Sequence, residues 1–143
     1  MNADLARALQ VVEHDLRIAG VPLPEVRDVP EQEWRHHAHQ PCAMLLAVDG
    51  SGQGVSCLVD DAPVEQLRSV ADQVQEWVHE ELCRLERSVA WPRCPTHPLT
   101  HPLSAVVIDE AAWWVCPLDR RGVSPIGQLG VTARSSRPTR GGR

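Results

Sequence analysis

Apolar residues recur along the first part of the chain at helical spacing. Leu5, Leu9, Val12, Leu16 and Ala19 stand four, three, four and three residues apart, which puts them on one face of a helix. The pattern predicts a helix over residues 3–19. Asn2 can cap its start, Asp4 lies in the first turn where the helix dipole favours an anion, and Gly20 with Pro22 supplies the stop. The stripe is read as a face docked on the chain's own core in preference to a dimerisation seam. A longer helical pattern covers residues 62–87. There Val64, Leu67, Ala71, Val74, Val78, Leu82 and Leu85 form the stripe and Trp77 widens it. Glu65, Asp72, Gln73, Glu76, Glu80 and Arg84 mostly take the other faces. Asp60 and Asp61 precede this helix, and Pro63 is tolerated in its first turn.

Between and after the helices the pattern shortens to that of strands. Residues 21–41 are broken by Pro22, Pro24, Pro30 and Pro41 and read as irregular, with room for an edge strand over 25–29. Two apolar runs, 43–48 and 55–59, flank the turn-rich stretch 49–54 and predict a β-hairpin. That stretch is not a phosphate loop, since no Lys-Ser/Thr follows it and it leads into a strand rather than a helix. A second hairpin is expected from the β-formers of 104–108 and 113–115, separated by an acidic break. No repeat of 20–50 residues occurs, which excludes a solenoid. The expected fold is α+β: two main helices packed on a small antiparallel sheet, closed by a C-terminal zinc-ribbon-like β-hairpin within residues 91–130. Residues 1–131 form a single expected domain, and 132–143 an Arg-rich tail with almost nothing to bury, expected to be disordered.

Composition sharpens this picture in two places. Among 143 residues there are five Trp but no Phe or Tyr, so the core must be Leu, Val and Ala around a few Trp anchors. All 14 basic residues are Arg, which together with the missing Phe and Tyr is what a GC-rich bacterial genome produces. The 19 acidic residues all lie at or before Asp119, and Arg134, Arg137, Arg140 and Arg143 lie beyond it; the first 131 residues therefore hold ten Arg against 19 acids, a formal charge of −9. Such a body repels phosphate backbones, leaving the tail as the one segment suited to nucleic acid. No basic-then-apolar leader opens the chain, and no apolar run nears the ~20 residues a bilayer span needs. Five Cys, an odd number, do not suggest a disulfide framework. A cytoplasmic protein is expected.

Candidate chemistry concentrates in residues 91–119. Cys94-x2-His97, with Cys116 nineteen residues later, is spacing compatible with a zinc ribbon. A hairpin over 104–115 would bring Cys94 and His97 at one end of a strand to Cys116 at the end of its partner. A structural zinc ion needs a fourth ligand. His101 would complete a neutral Cys2His2 set and is favoured; Asp119 would make the second turn echo the first but leaves a net negative site, which is dearer to bury. Pro95, Pro98, Pro102 and Pro117 follow the candidate ligands and restrict the loops beforehand. A metal-free reading also stands. Cys is often a small buried hydrophobe, His-Pro turns can close a hairpin, and Trp91, Trp113 and Trp114 can make a core unaided.

The block Trp91-Pro-x-Cys94-Pro-x-His97-Pro-x-x-His101-Pro-Leu, then Trp-Val-Cys116-Pro and Ile126-Gly-x-Leu129, resembles the C-terminal half of small uncharacterised proteins of high-GC Gram-positive bacteria. The resemblance covers roughly residues 65–130. It implies that the long helix and this block form one unit; it implies no substrate and no catalytic residue.

Other constellations have plainer readings. His36, His37 and His39 near Cys42 read as loop polar residues before a second metal cluster. His79-Glu80-Glu81 is similar to the His-x-Glu half of a zinc deaminase motif, but the matching Pro-Cys-x-x-Cys is missing. No Ser or Cys sits in a nucleophile elbow. The function expected is therefore a small non-enzymatic binding or scaffold protein, with a structural zinc ion and a protein partner. The alternatives are a small metal-dependent hydrolase or transferase with an open coordination position, and nucleic-acid association through the tail.

Overall fold

The computed structural model describes residues 1–34, 39–87 and 90–131. Helix α1 spans Ala3–Ala19. Asn2 Oδ1 accepts the Asp4 and Leu5 backbone N–H groups at 2.9 and 3.2 Å, and Gly20 ends the helix in the left-handed region at φ 64°. Leu5, Leu9, Val12 and Leu16 are buried as the stripe requires, and Ala8 and Asp15 join them. The charged face is held by exposed Arg–carboxylate pairs one turn apart.

Strands β1 (Glu25–Asp28), β2 (Cys42–Leu46) and β3 (Gly52–Ser56) form an antiparallel sheet in the order β1-β2-β3. A one-turn helix, α2 (Glu31–Trp34), sits in the stretch expected to be irregular. Strand β3 starts inside the glycine-rich stretch that reads as a turn. Gly52 pairs with Leu46, and a Cβ there would lie 2.7 Å from Leu46 Cδ2 and 3.1 Å from Met44 Cε. That glycine admits neighbouring side chains, whereas Gly50, at φ 87°, makes the turn.

Helix α3 spans Pro63–Arg84, three residues short of the expected end, and Ala62 begins it without any side-chain cap, so Asp60 and Asp61 do not serve as one. Its buried face holds Val70, Ala71, Val74, Trp77, Val78 and Leu82 together with Gln66, Gln75 and Glu81. Leu85, expected on the stripe, is exposed. The polar members are each matched: Gln66 Nε2 donates to the Leu58 carbonyl at 2.9 Å, and Glu81 pairs with Arg84.

The expected C-terminal hairpin lies in a second sheet of its own rather than extending the first. Strands β4 (Ser104–Ile108), β5 (Ala111–Val115) and β6 (Gly122–Pro125) run antiparallel in the order β4-β5-β6, separate from the first three. Asp109 and Glu110, at φ 47° and 64°, form the two-residue turn whose twist suits a hairpin. Strand β6 is four residues containing Gly122 and Pro125, too short and too poor in β-formers to stand out before its partner β5 is in place.

One core joins these parts, running from Leu5 of α1 through Leu45, Val55 and Val78 to Trp114 and Ile126. Trp91 and Trp114 are its largest fully buried side chains and meet edge to face, with ring centroids 5.4 Å apart and planes at 72°. At the far side of Trp114, the fully buried Asp15 accepts three hydrogen bonds. They come from Trp114 Nε1 at 2.8 Å and from the backbone N–H groups of Gly127 and Leu129 at 2.6 and 3.0 Å. Burial pushes the Asp15 carboxyl above its usual range, against the pull of these three donors and of His14. The Ile126-Gly-x-Leu129 segment is thus a clasp that brings two N–H groups to α1. Gly127, at φ 95°, is needed there because a Cβ would lie 2.5 Å from Val11 Cγ1. No helix among the described residues is long and apolar enough to cross a membrane.

Candidate metal centre

Two loops at one end of the second sheet build the site. The first leaves the buried Trp91, whose bond to Pro92 is cis, and returns at Leu103. Its ends are tied where the Leu103 N–H donates to the Pro92 carbonyl at 2.8 Å and Arg93 bridges to Pro102. Helix α3 pins both ends from behind. Gln75 Nε2 donates to the carbonyls of Trp91 and Leu103 at 3.1 and 2.5 Å, and His79 Nε2 donates to the Trp91 carbonyl at 2.8 Å. The second loop follows β5. The Cys116 N–H donates to the Arg121 carbonyl at 3.0 Å, the Arg120 N–H to the Cys116 carbonyl at 2.9 Å, and Arg120 takes φ 63° to close the turn.

These loops bring Cys94, His97, His101 and Cys116 together, with one ligand atom from each lying within 4.8 Å of the others. Cys94 and Cys116 are buried, while both His are partly exposed. His97 Nδ1 stands 3.5 Å from each of the two sulfurs, and His101 Nε2 stands 3.7 Å from Cys116 Sγ. The other nitrogen of His101, Nδ1, lies 2.9 Å from the Pro102 carbonyl. A hydrogen bond there needs the proton on Nδ1, which leaves the Nε2 lone pair facing the sulfurs. Asp119 is not in the cluster. Its carboxylate accepts the Arg121 N–H at 2.9 Å, and that bond, helped by the Cys116 thiol, holds it below the usual carboxylate range.

No family model, curated protein or solved structure matches this chain. Its chemistry is therefore read from the site itself. At Cys94 burial is the largest single influence and opposes ionisation. Hydrogen bonds from the Thr96 hydroxyl, the His97 ring and the His97 and Thr96 backbone together outweigh it, bringing the thiol down to about 6. The thiolate, the form that ligates a metal, is thus accessible at neutral pH. Two thiolates and two neutral imidazoles make a donor set suited to a borderline-soft divalent cation.

The other sequence candidates among the described residues do not join the cluster. His36 and His37 lie outside the described residues, and His39 is exposed beside Asp60 at 3.2 Å. His79 serves the Trp91 carbonyl and Cys83 is exposed. Residues 132–143, including the Arg-rich tail, also lie outside the described residues.

Sequence patterning missed Gln75, whose amide is the brace behind the loop. An amide on the buried face, among Val74 and Val78, was the available signal. Gln75→Leu leaves the Trp91 and Leu103 carbonyls short of a donor, and is expected to cost about 1–3 kcal/mol. Urea denaturation followed by Trp fluorescence measures this; an unchanged midpoint would show that the amide braces nothing.

Proposed function

We infer that Cys94, His97, His101 and Cys116 hold a structural zinc ion, and that the protein is a non-enzymatic binding or scaffold module whose C-terminal loops are set by that ion. One observation carries this reading. Zinc bonds of about 2.3 Å to sulfur and about 2.05 Å to nitrogen, spread tetrahedrally, give sulfur–nitrogen edges of about 3.6 Å. Three of the four sulfur–nitrogen separations in the cluster are 3.5, 3.5 and 3.7 Å. Four protein donors fill a tetrahedron, which supports a closed structural site over an open Lewis-acid one. The Pro102 carbonyl on His101 and the Thr96 hydroxyl on Cys94 would orient the ligands from outside.

Metal analysis of protein purified without a His-tag is expected to find about one zinc per chain. Metal-free protein that is fully folded would end the reading. His101→Ala is expected to weaken zinc binding by at least about tenfold, and Asp119→Ala by less than that. The reverse order would give the fourth position to Asp119.

A further inference from the structure

The described arginines fall into two groups. Arg7, Arg17, Arg27 and Arg68 each lie 2.7–3.6 Å from a carboxylate one helical turn or two strand positions away, and Arg84 pairs with Glu81 and with Asp49. Arg87, Arg93 and Arg120 form no ion pair among the described residues, and Arg121 has only the electrostatic reach of Asp119. Arg87 stands alone beyond the end of α3, whereas Arg93, Arg120 and Arg121 gather on the two loops of the metal centre. Asp119 is the single acid on these loops, and Asp109 and Glu110 form the β4–β5 turn at the opposite end of the hairpin. In a body with a formal charge of −9 over residues 1–131, the loop end is a local basic pole.

The same loops also carry exposed apolar groups. Leu99, midway between His97 and His101, is 93% exposed, and Leu118, two residues beyond Cys116, is 63% exposed. Neither contributes to the core. Unpaired Arg beside exposed Leu on backbone held by ligands and turn hydrogen bonds is the composition of a preorganised protein interface.

We propose that the two loops of the metal centre, presenting Arg93, Arg120 and Arg121 around Leu99 and Leu118, dock an acidic segment of another protein that carries apolar side chains among its carboxylates. The inference rests on the reading of these loops as a metal-set binding module. Charge complementarity selects the acidic partner, since three arginines without an ion pair gather on these loops. The leucines favour protein over nucleic acid, because a phosphate backbone has nothing to cover them. Trp91 and Trp114, the core rings behind these loops, are buried away from any base. A long polyanion would also meet the acidic body, whereas a short acidic segment feels mainly the charges within a Debye length of about 8–10 Å.

The test uses the zinc-loaded full chain and fluorescence anisotropy with a panel of labelled peptides combining Glu and Leu. The same peptides with Gln for Glu and a single-stranded oligonucleotide serve as comparison probes. The Glu–Leu peptides are expected to bind, with the Gln versions and the oligonucleotide at least about tenfold weaker. Arg93→Glu, Arg120→Glu and Arg121→Glu combined are expected to cost at least about tenfold, and Leu99→Ser with Leu118→Ser a further loss. Replacing Arg134, Arg137, Arg140 and Arg143 by Ser is expected to change affinity less than about threefold. Metal content and Tm should stay those of the parent in every variant. No binding by any peptide, tighter binding of the oligonucleotide, or equal affinity after the triple charge reversal would overturn the docking proposal. Chain that binds zinc but no peptide defeats the docking alone; chain that binds peptide but no zinc defeats the metal reading and keeps the docking.

Discussion

Cys94→Ser is expected to abolish stoichiometric zinc and to loosen the C-terminal loops. Serine keeps the volume but offers an alcohol in place of a thiol that ionises near 6, so the site loses a charged ligand rather than a packing atom. The loss should exceed about 3 kcal/mol, because binding energy at a structural zinc site is folding energy. Cys116→Ser should behave alike, since its sulfur faces both imidazoles. A strong chelator added to the parent should reproduce the change in denaturation midpoint and do nothing further to either variant. If chelator leaves the parent's midpoint where it was, the cluster is packing alone. The buried Trp91, three residues from Cys94, gives the transition an optical signal.

Asp15→Ala is the second large effect. It strands Trp114 Nε1 and the Gly127 and Leu129 N–H groups, all of which point at one carboxylate with no exposed surface. Removing the charged acceptor of a buried set costs about 3–5 kcal/mol. Asp15→Asn keeps one carbonyl oxygen but aims an NH2 group at donors, so an intermediate loss is expected. Hydrogen exchange provides the specific readout: the Gly127 and Leu129 amides should lose protection more than those of α3. Uniform loss across the molecule would mean that Asp15 supports the core without clasping the C-terminal segment.

The same residue predicts a pH dependence. Its folded carboxyl titrates above the usual range because of burial, so the unfolded chain releases this proton at the lower pH. Between the two values the folded state binds more protons, and stability from this group falls as pH rises until the folded carboxyl has ionised. Asp15→Asn should lack that downward slope when denaturation midpoints are compared from the usual carboxylate range upward. A slope retained in the variant would place its origin in another group.

Much of the molecule is legible in one dimension. The 3.6-residue period determines α1 and α3, with the cap at Asn2 and the stop at Gly20 read directly from residue type. The two hairpins follow from short apolar runs about turn residues, and the four Cys and His that meet were candidates from their spacing along 94–116. Each of these depends on neighbours within a turn, a hairpin or a loop, where chain connectivity alone restricts what can meet.

What only the tertiary structure decided involves partners far apart in the chain. Gln75 braces carbonyls 16 and 28 residues away, and Asp15 receives donors 99 to 114 residues away. Neither position differs in type from the solvated Gln and Asp on the same helices. A buried polar group is stable only where donors or acceptors converge on it, and that convergence exists after the sheets have packed. The separation into two sheets and the recruitment of β6 have the same origin, since a four-residue strand gains its ladder only from β5 already in place. The place of His101 in the cluster likewise depends on backbone beyond the cysteine–histidine spacing, since the Pro102 carbonyl lies 2.9 Å from its Nδ1 while the Asp119 carboxylate accepts the Arg121 N–H.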